Sequence, residues 1–383
     1  MLPAAAAMSP PAVETPEWLR NLPVAPEYRP TAAEFADPIA YILKIEVEAS
    51  RYGICKIVPP LAAPPREATV ERLRASFAAN AAAASGIDGA APAPTFPTRL
   101  QQVGFSTKNR RPASRRVWES GERYTLEAFR AKARDIDLPR HAVPPKHASQ
   151  LQLEALFWGA CAARPFNVEY GNDMPGSGFA APEELELYLE GGGGGGNASL
   201  AARDVGETEW NMRLAPRARG SLLRAMGRDV AGVTTPMLYV AMLYSWFAWH
   251  VEDHELHSLN YLHFGKPKTW YGVPRDAMLA FEDAVRVHGY ADELNAISAC
   301  APPSFAPFTI AFGFLHRCVA FPHESFLLSS YWQSQNFFLH DTVVHMTARP
   351  ILQHCAKTGF FEREKTEMVS VTPNEAFCIS NTV

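Results

Sequence analysis

Several features are missing from this chain, and each absence excludes something. No apolar run approaches the ~20 residues that cross a bilayer. The apolar run from Pro307 to Leu315 is far too short and stops at His316 and Arg317. There is no positive excess, since the formal net charge is −4, so the molecule is not a general polycation and any nucleic-acid contact needs a local patch. The six cysteines, Cys55, Cys161, Cys300, Cys318, Cys355 and Cys378, form no C-x-x-C pair. Their scatter predicts reduced thiols in an intracellular protein rather than a disulfide framework. The opening MLPAAAAMSPPAV has no basic segment and is broken by prolines, which argues against a secretory leader. No internal repeat is visible. What is present is the material for a core, with 47% hydrophobic and 11% aromatic residues in 383.

Along the chain, Thr31-Ala-Ala-Glu34 reads as a capping box. Phe35, Ile39 and Ile42 then follow at helical spacing, with Pro38 tolerable in the first turn. Gly53-Ile-Cys-Lys-Ile-Val58 reads as a short strand stopped by Pro59-Pro60. Residues 61–100 are rich in alanine, proline and glycine with little periodicity, and are expected to be a flexible, low-complexity insertion. Lys108, Arg110, Arg111, Arg115 and Arg116 form a basic run suited to a solvated loop or an anionic contact. Tyr124 to Ala133 and residues 150–163 read as helices. Six glycines at 191–196 mark a loop tip. From Met237 to Val273 the chain becomes aromatic and β-like, with a turn at Gly265-Lys-Pro267, which predicts antiparallel strands in a sandwich or barrel. Residues 274–298 return to a helical pattern.

The composition changes after Ala299. Eleven of the 22 phenylalanines and four of the six cysteines lie in residues 300–383, where alanine becomes sparse. Such a shift inside one domain suggests a tail of different coding origin, such as a read-through intron or an altered frame.

The chemistry concentrates at WFAWHVEDHELHSLNY. Residues i and i+2 of a strand share a face, so His250 and Glu252 present an imidazole and a carboxylate side by side. That is two thirds of the 2-His-1-carboxylate triad that holds non-haem Fe(II). Lys268, a cation, and Asn260, a neutral donor, follow closely and suit a dicarboxylate cosubstrate. His254, His257 and His263 are read as structural or exposed. The aromatic neighbours Phe247, Trp249, Trp270 and Tyr271 are read as core.

FAWHVED followed by SLNYLHFGKPKTWY resembles the iron site of the JmjC histone lysine demethylases. EFADPIAYILKIEVEASRYGICKIVPP resembles their JmjN domain. YTLEAFRAKA and FWGACAARPFNVEYGNDMPGSGF fit the same family, and within it the plant flowering-time group is most similar. The resemblance implies an α+β fold, with a JmjN helical and strand segment (17–60) packed on a JmjC double-stranded β-helix, a cupin-like jelly roll incomplete at its C-terminus. After the 61–100 insertion it implies a connecting helical region with the start of the catalytic domain and the glycine loop (101–200). The N-terminal part of the barrel (201–299) and a divergent tail (300–383) complete the division. It further implies Fe(II) on His250 and Glu252 as catalytic metal ligands. Lys268, Asn260, Tyr170 and Phe247 would lie around 2-oxoglutarate, and Tyr239, Gly171 and Asp173 at the methyl-lysine substrate. Strict alternation sets Phe247 opposite His250, so its assignment requires a bulge between them. The implied reaction oxidises an N-methyl group to a hemiaminal that releases formaldehyde. The implied partner is the histone H3 tail in nucleosomes, in the nucleus, with no membrane.

The resemblance stops at the third ligand. The family motif F-P-x-x-Y-H-x-G-F is absent. Phe321-Pro-His323 echoes it, and His340 and His345 are further candidates. Cys300, His316, Cys318, His354 and Cys355 match no zinc module. Two functions therefore stand. One is a demethylase of a repressive H3 mark, lysine-27 before lysine-9 or lysine-4. The other is a catalytically impaired, truncated form that acts as a chromatin-binding adaptor. A 2-oxoglutarate hydroxylase acting on another protein is a weaker third.

Overall fold

The structure is a computed structural model. It describes residues 15–85, 94–103, 118–134, 149–162, 166–185, 204–250, 256–265, 268–273, 310–315, 326–329, 362–363 and 377–382. Six helices are named here: α1 (Glu17–Arg20), α2 (Ala32–Phe35), α3 (Pro38–Ala49), α4 (Arg66–Ser85), α5 (Leu126–Arg134) and α6 (Gln150–Ala162). The strands are β1 (Glu27–Tyr28), β2 (Ile54–Ile57), β3 (Phe96–Val103), β4 (Trp118–Tyr124), β5 (Phe166–Pro175), β6 (Met237–Met242) and β7 (Trp246–His250). They continue as β8 (Ser258–Gly265), β9 (Lys268–Val273), β10 (Ile310–Leu315), β11 (Phe326–Ser329), β12 (Glu362–Arg363) and β13 (Phe377–Thr382).

The capping box forms as expected: Glu34 N–H donates to Thr31 Oγ1 at 3.3 Å, and Thr31 N–H donates to Glu34 Oε2 at 2.8 Å. The helix after it is not continuous, however. Pro38 has no N–H and occupies the first turn of a second helix, α3, whose N-cap Asp37 accepts from Ala40 N–H at 2.9 Å. Tyr41, Ile42, Ile45 and Ala49 of α3 are buried against Cys55, Ile57, Leu259 and Tyr261. Trp210 seals this layer by stacking on Phe35 at 4.7 Å and donating from Nε1 to the Phe35 carbonyl at 2.7 Å.

Two sheets face each other. The larger has nine strands in the order β1-β2-β11-β8-β13-β6-β5-β3-β4, and the smaller has four in the order β12-β9-β10-β7. All the strand pairs are antiparallel except β1 with β2. Alternation fixes what each face covers. On β9, Thr269 and Tyr271 are buried on the outer side, where Tyr271 OH donates to Glu154 Oε2 of α6 at 2.6 Å. Trp270 and Gly272 turn inward onto Ile54 of β2. A Cβ on Gly272 would come within 2.8 Å of Ile54, so glycine permits the sheets to approach there.

The flexible insertion expected at 61–100 is corrected. It contains the twenty-residue α4 and the start of β3, with Leu73, Phe77 and Phe96 fully buried. Alanine favours helix intrinsically, and Thr69, Leu73, Phe77 and Ala81 form a buried stripe at spacing four. Its two large side chains are too few to stand out from the alanines around them. Residues 101–200 are likewise more than a connecting helical region, since β3, β4 and β5 belong to the main sheet. The described parts of 300–383 are not left outside the sheets. β10 lies between β9 and β7, β11 between β2 and β8, and β13 between β8 and β6. The helix read at 274–298, the basic run at 108–116 and the glycine loop lie outside the described residues.

Candidate active site

The strand that ends in His250 is anchored from across the molecule. The turn between β6 and β7 places Tyr244 at φ +67°. Ser245 Oγ accepts from Met242 N–H at 3.1 Å and donates to the Glu169 carbonyl at 3.1 Å. The Gln101 side chain, fully buried on β3, then grips both backbone groups of Trp246. Its Nε2 donates to the Trp246 carbonyl at 2.7 Å, and its Oε1 accepts from Trp246 N–H at 3.0 Å. The start of β7 is thereby tied to the main sheet.

A register shift follows at once. His250 stands opposite Ala311 and Phe247 opposite Gly313, so three steps of β7 match two of β10. The extra residue is the bulge that the Phe247 assignment requires. By register, positions 247 and 250 share a face with 311 and 313, and those pair in turn with Gly272 and Trp270. Lys268 lies two residues before Trp270 on that same inner face.

From this face Lys268 reaches the opposite sheet, with Nζ 5.1 Å from the centroid of the Tyr239 ring. An ammonium over an aromatic face is attracted by the ring quadrupole. Tyr239 OH donates to Asp173 Oδ1 at 2.9 Å, and Asp173 takes φ +53° to meet it. The Tyr170 ring lies 6.1 Å from that of Tyr239. The register explains the grouping: Tyr170 pairs with Ala241, which shares a face of β6 with Tyr239. Leu262 packs on the two rings, and Asn260 occupies the same face of β8, two residues earlier. Gly171 is packed so closely that a Cβ would lie 2.9 Å from the Phe96 ring.

Lys268, Tyr170, Tyr239, Asp173 and Asn260 therefore line the space between the sheets. An ammonium, a phenol and an amide are the donors that a dicarboxylate requires, so the described residues fit such a cosubstrate. Among the described residues no cluster of three or more His, Cys, Asp or Glu can hold a metal. Glu252, His254, His323, His340 and His345 lie outside the described residues, as do Cys300, His316, Cys318, His354 and Cys355. His263 falls on the opposite face of β8 from Asn260, and His257 just precedes the strand. His257 Nε2 is 3.4 Å from Glu46 of α3, and His263 is buried against the rings of Phe179 and Tyr261 at 4.7 and 5.1 Å. Both are structural.

Three residues passed over in the sequence support this arrangement. Gln101 is one. Another is Lys56, buried in the row of Asn260 through β11 and paired with Glu27 at 3.1 Å. The third is Glu169, next to Tyr170 on the opposite face of β5. It accepts from Thr98 Oγ1 at 2.6 Å and Tyr124 OH at 2.9 Å, and pairs with Lys132 at 2.9 Å. Burial pushes its carboxyl up, but these donors prevail and hold it below the ordinary glutamate value. No local motif marks any of the three, because their partners are remote in sequence.

Residues 26–59 match the jmjN domain family, and residues 237–342 match the family described as JmjC domain, hydroxylase. The chain contains a JmjN and a JmjC domain. The JmjC match continues past Ala299 and takes in His323 and His340, so part of the compositionally distinct tail lies within it. Lysine-specific demethylase REF6 of Arabidopsis thaliana is 54% identical over 292 residues, which are 73% of this chain and 21% of that protein. Lysine-specific demethylase JMJ705 of Oryza sativa subsp. japonica is 52% identical over 309 residues, 79% of this chain and 23% of that protein. Lysine-specific demethylase ELF6 of Arabidopsis thaliana is 37% identical over an alignment of 352 residues, gaps included, that covers 75% of this chain and 26% of that protein. The chain thus spans about a quarter or less of the length of these relatives. In this JmjN/JmjC protein, the JmjN match covers β1 to β2, which add to the edge of the main sheet and supply its outer helical layer.

Proposed function

We propose that this JmjN/JmjC chain is an Fe(II)- and 2-oxoglutarate-dependent demethylase of methylated lysine in the histone H3 tail, acting on nucleosomes in the nucleus. The observation that carries the proposal is the reach of Lys268 from the smaller sheet to Tyr239 on the larger, on the face shared by positions 247 and 250. Lys268 would pair with the distal carboxylate of 2-oxoglutarate, with Tyr170 and Asn260 donating hydrogen bonds and Phe247 alongside. The Tyr239 ring, held by Asp173, would offer its face to a methylated ammonium in the way it meets Lys268. Gly171 and Asp173 would border the entering peptide. His250 and Glu252 are the assigned metal ligands, with His323, His340 or His345 as the third. Bound there, iron would supply the O2 chemistry that hydroxylates an N-methyl carbon. The hemiaminal formed on the substrate then breaks to formaldehyde and amine.

Of the marks, the repressive lysine-27 of H3 is placed before lysine-9 and lysine-4, by similarity to the plant flowering-time group. A second reading, a truncated chain that binds chromatin without turnover, is favoured by the absence of an F-P-x-x-Y-H-x-G-F motif around the candidate third ligands.

The test is formaldehyde release from H3 peptides trimethylated at lysine-27, 9 or 4, with Fe(II), ascorbate and 2-oxoglutarate. Formaldehyde supports the demethylase. Succinate without formaldehyde means a hydroxylase of another target, and peptide binding with neither product means the adaptor. His250→Ala should abolish iron binding; equal iron content in variant and parent would refute the ligand assignment.

A further inference from the structure

We propose that the loop from Arg213 to Arg228 is a contact surface for the sugar–phosphate backbone of duplex DNA. The inference rests on the histone reading above, because a histone tail is presented beside duplex DNA. In a chain of net charge −4, the stretch RLAPRARGSLLRAMGR carries five arginines and no Asp, Glu or Lys.

Two of these arginines build the loop. Arg213 Nε donates to the Phe179 carbonyl at 3.3 Å. Arg217 braces the loop's return, with Nη1 donating to the Met226 carbonyl at 2.9 Å and Nη2 bonding the Arg228 carbonyl at 3.3 Å and Asp229 Oδ1 at 2.8 Å. Ser221 closes the tip, donating to the Pro216 carbonyl at 2.6 Å and accepting from Leu223 N–H at 3.2 Å. The other three, Arg219, Arg224 and Arg228, are exposed, and no described side chain forms an ion pair with them. Asp229, which follows the loop, is engaged by Arg217, and Glu183 and Glu184 lie near Arg213 rather than near these three. A braced backbone that directs uncompensated guanidinium groups to solvent binds phosphates with little ordering cost and with bidentate geometry.

Duplex DNA fits this surface better than a single strand. Residues 211–236 contain no aromatic side chain on which unpaired bases could stack, while phosphate recognition needs only the cations. The same chain segment runs through the turn at Val230–Thr235, where Gly232 N–H donates to the Thr235 carbonyl at 2.8 Å, into the strand that carries Tyr239. A DNA contact at the loop is thereby covalently continuous with the inner face of the barrel.

The experiment is fluorescence anisotropy of the full chain with a labelled duplex of arbitrary sequence, between about 50 and 200 mM salt. Each phosphate neutralised contributes about 0.9 to the slope of log K against log salt. The variant R219Q/R224Q/R228Q should therefore lower that slope by about 2.7 and weaken binding at low salt, while keeping the parent's melting temperature. The control R20Q/R51Q/R99Q removes three exposed charges elsewhere and should leave the slope nearly unchanged. The inference is overturned if the parent does not bind duplex at low salt, if the loop variant keeps the parent's slope, or if the control loses as much. It is also overturned if polyglutamate, and not duplex, binds through these arginines, since that would mark a surface for an acidic protein. DNA binding is read without peptide, and turnover of free peptide without DNA. Arginine-dependent duplex binding by a chain that releases no formaldehyde therefore sinks the demethylase reading alone, and the reverse result sinks the loop.

Discussion

Replacing Gln101 with leucine tests how far the strand that ends in His250 depends on a single remote side chain. The residue is fully buried and bonds both backbone groups of Trp246, at 2.7 and 3.0 Å. Leucine is close in volume, so packing changes little. The loss is electrostatic: two buried hydrogen bonds, each worth about 1 kcal/mol net, and a desolvation cost of about 1–3 kcal/mol for each backbone group that finds no new partner. Apolar gain from leucine offsets part of this, leaving an expected destabilisation of about 2–4 kcal/mol. The assay is urea denaturation of parent and variant, read by tryptophan fluorescence, with the m-value compared to confirm the same transition. Because Trp246 begins the strand that reaches His250 across a bulge, Fe(II) affinity should fall as well, measured by competition with a chelator. A loss below about 0.5 kcal/mol, or an unchanged iron affinity alongside the expected loss, would refute the view that this clamp sets the strand.

Other expectations follow from the same structure. The Glu169 carboxyl lies below its ordinary value in the folded state, so its contribution is present above the unfolded value of 4.5 and is lost as pH falls through the folded value. Glu169→Gln should therefore cost about 1–3 kcal/mol near neutral pH and flatten the acid limb of stability below the ordinary glutamate value, measured by denaturation at each pH; an unaltered acid limb would exclude this carboxylate as its source. Lys268→Met should raise the 2-oxoglutarate KM about 10- to 100-fold, as loss of a charged hydrogen bond of ~1.5–3 kcal/mol implies, while thermal stability changes little; a KM within twofold of the parent would place the cosubstrate elsewhere. Asp37→Ala removes the N-cap of α3 and should cost about 1 kcal/mol in thermal unfolding, a result that a continuous helix through Pro38 would not give.

Much of the local structure was legible because its causes are local. The capping box at Thr31 and Glu34, the strand before Pro59, the helices near Leu126 and Gln150 and the aromatic strands from Met237 to Val273 all follow from short-range pattern. The segment at 61–100 does not announce its helix because an alanine-rich stripe gains its burial from β3 and β5, which the helix itself does not encode. Pro38 opens α3 rather than continuing the helix capped by Thr31, and a break two residues long leaves almost no trace in periodicity.

The candidate site divides along the same line. By itself the sequence determined which chemistry was available: an imidazole and a carboxylate two residues apart, an ammonium and an amide nearby, and aromatic rings around them. Tertiary structure alone decided that Lys268 would meet Tyr239 from the opposite sheet, that a bulge would bring positions 247 and 250 to one face, and that Gln101 would hold the start of that strand at Trp246. Residue types and spacings are properties of neighbours along the chain. Register, bulges and sheet-to-sheet distance arise only when segments far apart in sequence pair and pack, and their hydrogen bonds and buried surfaces choose one alignment among many that the local pattern allows.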